Sequence, residues 1–194
     1  MNPELKIGLF GGSFDPIHLG HLLVAQAASE ELGLTRLFFI PAAQSPFKLT
    51  QNPASPQQRV RLMRLALAGQ TRYEIDEQEL QRGGTSYTID TVRDYVRRFP
   101  GARLFYLIGA DHIPQLSKWR ESDELARLVE FVVIPRPGEP PDVLPPPFRC
   151  HLLNGFPLGV SSSQIRVRVR AGFPIHSLVP AAVAEAIQNS GLYV

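Results

Sequence analysis

The chain has 194 residues, 44% of them hydrophobic, so it can bury one sizeable core but is too short for two full-sized domains. Its 20 basic and 18 acidic residues nearly balance, which argues against a general nucleic-acid binder, and its single cysteine excludes both an internal disulfide and a thiolate metal cluster. No apolar run reaches about 18 residues and the start lacks a signal-peptide profile, so we expect one cytoplasmic domain, residues 1–194, that binds no membrane.

The start of the chain predicts a strand, a glycine loop and a helix. The apolar run that ends at Phe10 is typical of a buried strand, and the sequence LGHLLVAQAASEEL is typical of a helix. Gly11 and Gly12 between them allow a sharp turn in which backbone N–H groups can approach a phosphate. His18 and His21 are one helical turn apart and are expected on one face. This loop therefore lies where open α/β sheets bind ligands.

The sequence of this loop disfavours several other kinds of site. The helix offers no carboxylate at an obvious third-ligand spacing, so the histidine pair predicts no metal site. The loop has neither the lysine and hydroxyl of a P-loop nor the spacing G-x-G-x-x-G. A phosphate loop with imidazole donors remains, and a purely structural role for the two histidines is the alternative.

The next elements are a second strand and a second helix. Residues 36–41, RLFFIP, are an aromatic and β-branched run that proline ends, as expected of a strand. Ser55, Pro56 and Gln58 give an N-cap, a proline at the first helical position and a capping box. They predict a helix that ends at Gly69.

The middle of the chain continues this alternation. A strand is expected over residues 73–76, and the hydroxyl-rich segment 83–88 is expected to cap a helix. The buried face of that helix is predicted to contain Ile89, Val92, Val96 and Phe99. Residues 104–108 and 131–134 are almost wholly apolar, as in the strands of a parallel sheet covered on both faces. We therefore predict an α/β fold: a single-domain, Rossmann-like, three-layer α/β/α arrangement with a mostly parallel sheet.

The last part of the chain begins with a proline-rich segment. Seven prolines in residues 135–147 predict a surface excursion rather than a domain linker. A short strand is expected over residues 151–153, and a final helix over residues 180–189 with a proline at its first position.

Residues 161–170 fit two structures. Three serines suit a helix N-terminus, whereas the alternation from Ile165 to Arg170 suits a strand. In a helix, Arg166 and Arg170 would share a face near free N–H groups, which suits pyrophosphate. In a strand, all three arginines would share one face.

Several motifs resemble those of one enzyme family. The string GGSFDPIHLGH resembles the signature of the HxGH nucleotidylyltransferases, and VSSSQIR resembles the element that closes the ATP site in that superfamily. Between them, SPFK, SYTIDT, GADHIPQLSKW and PRPG resemble, in order, segments of the bacterial nicotinate-nucleotide adenylyltransferases. The resemblance covers nearly the whole chain.

The resemblance implies two binding sites and a reaction. The substrates would be ATP and nicotinate mononucleotide, with Mg²⁺ as cofactor and His18, His21 and Arg166 as catalytic residues. The ATP site would contain Gly11, Gly12, Ser13, Phe14, His18, His21, Gly109, Asp111, Ser161, Ser162 and Arg166. The second substrate would contact Lys48, Ser86, Tyr87, Thr88, Asp111, Trp119 and Arg136. The oligomeric state, including a homo-oligomer, is left open.

Two positions depart from the family pattern. Phe47 stands where histidine often precedes the lysine, and Arg120 stands where tyrosine commonly follows the tryptophan. Arg120 would add positive charge near a substrate carboxylate, which favours the acid over the amide. The alternatives are a pantetheine-phosphate adenylyltransferase, a non-catalytic nucleotide-binding regulator and, from the R-x-R-x-R run alone, an RNA-binding module.

Overall fold

The computed structural model describes residues 4–44, 54–135, 144–156 and 158–194. Within these ranges, six strands form one sheet in the order β3-β2-β1-β4-β5-β6, and every neighbouring pair is parallel. The strands are β1 (Lys6–Gly12), β2 (Arg36–Pro41), β3 (Tyr73–Ile75), β4 (Arg103–Gly109), β5 (Glu130–Ile134) and β6 (Cys150–Leu152). The predicted α/β, Rossmann-like fold with a parallel sheet is confirmed.

Helices cover both faces of this sheet. They are α1 (Leu19–Leu32), α2 (Pro56–Ala66), α3 (Gln78–Arg82), α4 (Thr88–Arg98), α5 (Ser122–Leu128), α6 (Ser162–Arg170) and α7 (Ala181–Ser190), with a 3₁₀ helix over Ala110–Lys118. Leu37 and Phe39 of β2 pack with α1, α2, α6 and α7, whereas Phe38 and Ile40 pack with α4, α5 and the 3₁₀ helix. Because successive side chains of a strand point to opposite faces, one strand serves two cores, as a three-layer fold requires.

Several predicted elements need correction. Helices α3 and α5 and the 3₁₀ helix were not predicted, and of the two structures left open for residues 161–170 the chain adopts the helix, α6. The second helix ends at Ala66, before Gly69, and Pro180 is the N-cap of α7 rather than its first helical residue. In α4 the inward residue is Tyr95, which is fully buried, whereas Val96 is 38% exposed. Tyr95 lies three residues after Val92, so the helical period places it on the buried face.

The strand order determines where a ligand can bind. The chain passes from β1 to β2 on one side, whereas β4 lies on the other side of β1. In open α/β sheets, the crevice at such a reversal, outside the carboxyl ends of the strands, is where ligands bind. The loops after β1 and β4 therefore border the expected site. None of the described helices is long and apolar enough to cross a membrane.

Candidate active site

A cleft of about 180 Å³ opens at the carboxyl ends of β1 and β4. Its lining includes these residues that the resemblance assigned to binding: Gly11, Gly12, Ser13, Ser86, Thr88, Gly109 and Trp119. Its lining also includes residues that the sequence did not indicate, among them Glu79, Tyr106 and His112. Parts of both predicted subsites therefore share one cleft.

Gly11 and Gly12 extend β1 and do not form the expected turn. Both pair in parallel register with β2. A Cβ on Gly11 would lie 2.5 Å from the Tyr106 hydroxyl oxygen, and a Cβ on Gly12 would lie 3.1 Å from the Phe14 ring. The positive φ falls instead at Phe14, at 47°. The prediction of a turn at the glycines is thus wrong, because both residues belong to the strand. Glycine is needed here for a different reason: neighbouring rings occupy the space that a side chain would fill.

His18 and His21 form a stacked pair at the start of α1. Their ring centroids are 3.7 Å apart, with 27° between the planes. The backbone N–H of His18 donates to Nδ1 of His21 at 3.1 Å. Because that Nδ1 accepts, the proton of a neutral His21 ring lies on Nε2, which is then the donor. Gly20 leaves room for the pair, since a Cβ there would lie 3.0 Å from Nδ1 of His18.

His18 is buried and neutral. Its exposure is 6%, and its Nδ1 makes no hydrogen bond within the described residues. Burial lowers the pKa of His18 from 6.5 to about 4. A phosphate group beside this ring would supply a hydrogen-bond partner and would favour the protonated form.

Helix α6 docks on the loop between β1 and α1. Nη1 of Arg166 donates to the backbone carbonyl of Asp15 at 2.6 Å and lies 3.8 Å from Oδ2 of the same residue. Oγ of Ser162 donates to the carbonyl of Pro16 at 2.9 Å. The structure thus brings Arg166 and Ser162 to the loop that leads into the histidine pair. The N-terminus of α6 adds partial positive charge beside it.

Other polar residues of α6 have structural partners. Oγ of Ser161 accepts from the N–H of Gln164 at 3.2 Å and so caps the helix. Arg168 donates to the carbonyl of Pro174 at 3.1 and 3.2 Å. Arg170 is the last residue of α6, so the expectation that it lies near free N–H groups is wrong.

A buried arginine holds the same loop from another side. Arg59 of α2 is 2% exposed and donates to the carbonyls of Ser13, Ala42 and Ala54 at 2.7, 2.9 and 3.2 Å. Burial lowers the pKa of this guanidinium, and the nearby Asp15 carboxylate raises it. Sequence reasoning missed Arg59, because an arginine in a polar first turn resembles a solvated residue.

The start of α4 forms another wall of the cleft. Its N-cap, Tyr87, makes no side-chain capping hydrogen bond, so the prediction that hydroxyls cap this helix is wrong. Oγ of Ser86 instead accepts from the N–H of Ala43 at 3.0 Å, and Oγ1 of Thr88 donates to the hydroxyl of Tyr106 at 3.3 Å. A helix N-terminus without a side-chain cap favours an anionic ligand.

Trp119 is held by three rings. Its centroid lies 6.4 Å from Tyr106, 5.8 Å from His112 and 6.3 Å from Phe131, each edge to face. These contacts fix the indole as one side of the cleft. No motif marks His112 in the sequence, and its place beside the indole follows only from the 3₁₀ helix that carries His112 and that Trp119 caps.

Glu79 lines the cleft, and the Asp111 carboxylate lies next to Gly109 of its wall. Glu79 is 4% exposed and accepts from the hydroxyl of Thr91 at 2.6 Å, while burial raises its pKa. The Asp111 carboxylate turns back to Gly109, where a Cβ would lie 2.5 Å from Oδ1. Asp111 thus lies at the carboxyl end of β4, as predicted. Glu79 was missed because α3 is too short to give a clear pattern.

The remaining residues of the prediction are Lys48, Arg120 and Arg136. Lys48 and Arg136 lie outside the described residues. Arg120 lies 3.7 Å from carboxylate oxygens of Asp90 and Glu121 and stacks 4.9 Å from the Tyr87 ring centroid. Because its charge is paired, Arg120 adds little net positive charge to the cleft.

Comparisons with known proteins extend over nearly the full length. The cytidylyltransferase-like family model matches residues 9–168. Proteins named probable nicotinate-nucleotide adenylyltransferase from Opitutus terrae and Thermus thermophilus are 42% and 41% identical to this chain. The first alignment covers 97% of this chain and 98% of the relative, and the second covers 97% and 100%. The chain belongs to the nicotinate-nucleotide adenylyltransferase family.

Solved structures agree with this adenylyltransferase fold. Plasmodium falciparum nicotinic acid mononucleotide adenylyltransferase complexed with NaAD gives a TM-score of 0.80 at 18% identity, covering 98% of both chains. The same enzyme complexed with APC gives 0.77 at 18% identity, again covering 98% of both chains. At such low identity the likeness establishes the fold alone.

Proposed function

We propose that the protein transfers the adenylyl group of ATP to nicotinate mononucleotide, giving nicotinate adenine dinucleotide and pyrophosphate, as a step of NAD biosynthesis. One observation carries the proposal: a single loop, residues 13–18, starts in the cleft wall at Ser13, is bound by Arg166 and ends at the histidine pair. Groups that can donate hydrogen bonds to phosphate thus lie next to a cleft with an aromatic wall. Family membership supports the choice of acceptor.

The reaction needs positioning more than proton transfer. An oxygen of the mononucleotide 5′-phosphate attacks the α-phosphorus of ATP and forms the new P–O bond. The bond from that phosphorus to the bridging oxygen breaks, and pyrophosphate leaves with the electron pair. Because the nucleophile is already an anion, no general base is required. The protein must align two mutually repelling anions and stabilise charge on the leaving group.

We assign the triphosphate to donors around the loop. Nε2–H of His21 and the guanidinium of Arg166 are charge-stabilising donors, and the loop N–H groups add fixed dipoles. The neutral ring of His18 is buried against His21 and supports it in the stacked geometry. Asp111, at the end of β4, is suited to accept hydrogen bonds from a ribose hydroxyl.

The cleft suits an anionic pyridine nucleotide. Trp119 offers an aromatic ring for stacking, and the α4 start, with Ser86, Tyr87 and Thr88, offers donors for a carboxylate. Lys48 and Arg136, both cationic, remain the proposed partners of the mononucleotide phosphate. These roles rest on the family resemblance together with the lining of the cleft.

The acceptor is tested by direct comparison. Purified protein receives ATP and MgCl₂ with nicotinate mononucleotide, nicotinamide mononucleotide or phosphopantetheine, and pyrophosphate release is measured. We expect the highest kcat/KM with nicotinate mononucleotide. Faster turnover of phosphopantetheine would overturn the acceptor, and no release with any of the three would indicate a non-catalytic nucleotide-binding protein.

Mg²⁺ is the proposed metal, carried by the nucleotide. No cluster of three or more histidine, cysteine, aspartate or glutamate side chains within the described ranges could hold a metal ion. The described residues therefore fit a cation whose ligands are phosphate oxygens and water, as is usual for Mg²⁺ with ATP. Such a cation offsets phosphate charge. Turnover should stop with excess EDTA and return with MgCl₂, and activity that survives EDTA would contradict the assignment.

Fluorescence tests the ring contact separately. Trp119 is the only tryptophan of the chain, so its intrinsic fluorescence reports on this cleft alone. We expect nicotinate mononucleotide to quench it and ATP alone to leave it nearly unchanged. Equal quenching by both ligands would contradict stacking on Trp119.

A further inference from the structure

The last residues of the chain reach the loop after β1. Helix α7 ends at Ser190, and the chain reverses through Gly191, whose φ is 59°. Tyr193 follows with a φ of 72°, a left-handed conformation that is costly for a residue with a side chain. Its ring packs on the core beneath α7, and its hydroxyl donates to Oδ1 of Asp15 at 2.6 Å, across 178 residues of sequence.

The Asp15 carboxylate is buried between several donors. It is 4% exposed, and Oδ1 also accepts from the N–H of Ala54 at 3.2 Å. Oδ2 faces Nη1 of Arg166 at 3.8 Å, which is too long for a hydrogen bond. That Nη1 instead donates to the Asp15 backbone carbonyl at 2.6 Å. The guanidinium therefore lies beside a carboxylate to which it is not hydrogen-bonded.

This arrangement bears on how strongly Arg166 can bind phosphate. A guanidinium that is hydrogen-bonded to a buried carboxylate must break a strong, charge-assisted contact before it can turn to another anion. The Arg59 guanidinium donates no hydrogen bond to the Asp15 carboxylate in its place. Its donors bind the backbone carbonyls of Ser13, Ala42 and Ala54. Among the side chains of the described residues, the Tyr193 hydroxyl is thus the group that donates a hydrogen bond to Asp15.

We propose that Tyr193 is a positioning residue for the nucleotide: its hydrogen bond to Asp15 keeps that carboxylate from drawing Arg166 into a tight ion pair, so the guanidinium stays available to the triphosphate. The inference rests on the proposed ATP site. It assigns a role in that site to the end of the chain, which the sequence motifs leave without function.

The test removes only the hydroxyl. In Tyr193→Phe the ring and its packing remain, and we expect the Kd of ATP with MgCl₂, measured by isothermal titration calorimetry, to rise about 10- to 100-fold, the scale of one hydrogen bond to a charged group. The KM for ATP should rise by a similar factor. The KM for nicotinate mononucleotide should change less than about twofold, because its cleft is not altered.

Tyr95→Phe is a matched control. The Tyr95 hydroxyl also donates to a carboxylate oxygen, of Asp76, at 2.6 Å, and it lies outside the proposed machinery. This variant should lower the melting temperature as Tyr193→Phe does, but it should leave the Kd of ATP unchanged. An equal Kd for ATP in the two variants would overturn the role of Tyr193.

A double-mutant cycle tests the route through Asp15. Asp15→Asn removes the charge that could capture Arg166, so adding Tyr193→Phe should change the KM for ATP by less than about twofold. Effects that simply multiply would overturn the proposal. Calorimetry separates the two hypotheses: a wild-type protein that does not bind ATP sinks the proposed function, whereas wild-type affinity in Tyr193→Phe sinks this inference alone.

Discussion

His18 combines a buried ring with a position at the phosphate loop, and its pKa makes stability depend on pH. The folded chain holds this pKa at about 4 against 6.5 for the ordinary group. Between those values the unfolded chain binds a proton that the folded chain does not, so the free energy of unfolding decreases as pH falls from 6.5 to 4. The loss from this group approaches roughly 3 kcal/mol at pH 4.

Urea unfolding between pH 4 and 7.5 measures this term. The wild-type protein should lose more stability over this window than His18→Gln, whose side chain does not titrate. The exposed His176 supplies the control, and His176→Gln should retain the wild-type dependence. Identical pH profiles for the wild type and His18→Gln would show that His18 is not buried in neutral form.

The tautomer of His21 leads to a prediction about catalysis. If Nε2–H is a donor to the α-phosphate in the transition state, His21→Ala should lower kcat by on the order of 10²- to 10³-fold, as loss of one positioned oxyanion donor does. His21→Gln places an amide donor near the Nε2 position, whereas the shorter amide of His21→Asn reaches only the Nδ1 position. We therefore expect Gln to retain more kcat than Asn, and the reverse order would exclude an Nε2 donor.

Sequence spacing reveals the histidine pair but not its chemistry. His18 and His21 stand out because three residues make one helical turn. The proton on Nε2 depends on the His18 N–H reaching Nδ1 at 3.1 Å, which requires the backbone geometry of the helix start. The contacts of Arg59 with Ser13 and of Tyr193 with Asp15 span 46 and 178 residues, so no local pattern could reveal them.

At the scale of elements, β1 and β4 pair in parallel, and a side chain of β4 also packs against the end of β1. A Cβ on Gly11 would lie 2.5 Å from the hydroxyl oxygen of Tyr106, whose ring is buried and cannot swing away freely. Gly11→Ala should therefore displace Tyr106, weaken its hydrogen bond with Thr88 and lower stability by about 1–3 kcal/mol, as overpacking does. The KM for the pyridine nucleotide should rise, because Tyr106 lines the cleft.

Gly159→Ala is the control for Gly11→Ala, since a Cβ there would meet no atom within 4 Å and the backbone has no positive φ. Thermal unfolding and steady-state kinetics of the two variants provide the comparison. A wild-type melting temperature and KM in Gly11→Ala would mean that Tyr106 adapts without cost. Similar losses in both variants would point to glycine flexibility rather than to space.

Elements were predictable where a single period dominates. The helix at residues 19–32 and the strand at residues 36–41 agree with the predicted bounds, because each run has one strong pattern. Residues 161–170 fit both periods, and tertiary packing decides between them: Ile165 is fully buried in the core beneath α6. The local sign was present, since Ser161 and Gln164 form a capping box.

At the scale of the whole molecule, the two cores share their strands. In β1, Leu9 packs on one face of the sheet and Phe10 on the other. If the strands unfolded on one face of the sheet, the core on the other face would also be exposed to water. We therefore expect one cooperative thermal transition. Differential scanning calorimetry should give equal calorimetric and van't Hoff enthalpies. Two resolved transitions would contradict the expectation of one domain over residues 1–194.

Nucleotide binding should shift that transition as a unit. ATP with MgCl₂ at about 100 times its Kd adds about 2.7 kcal/mol to the free energy of unfolding, which raises the melting temperature by roughly 5–10 °C for a chain of this size. Arg166→Ala should lose most of this shift in melting temperature, because the guanidinium of α6 would no longer bind the phosphate groups beside the loop after β1. We expect bound ATP to stabilise both cores, because the loop that binds it continues β1, whose side chains pack into both. The loop also contacts Tyr193 near the end of α7. A shift confined to part of the transition, or a full shift in Arg166→Ala, would separate the ATP site from the rest of the fold.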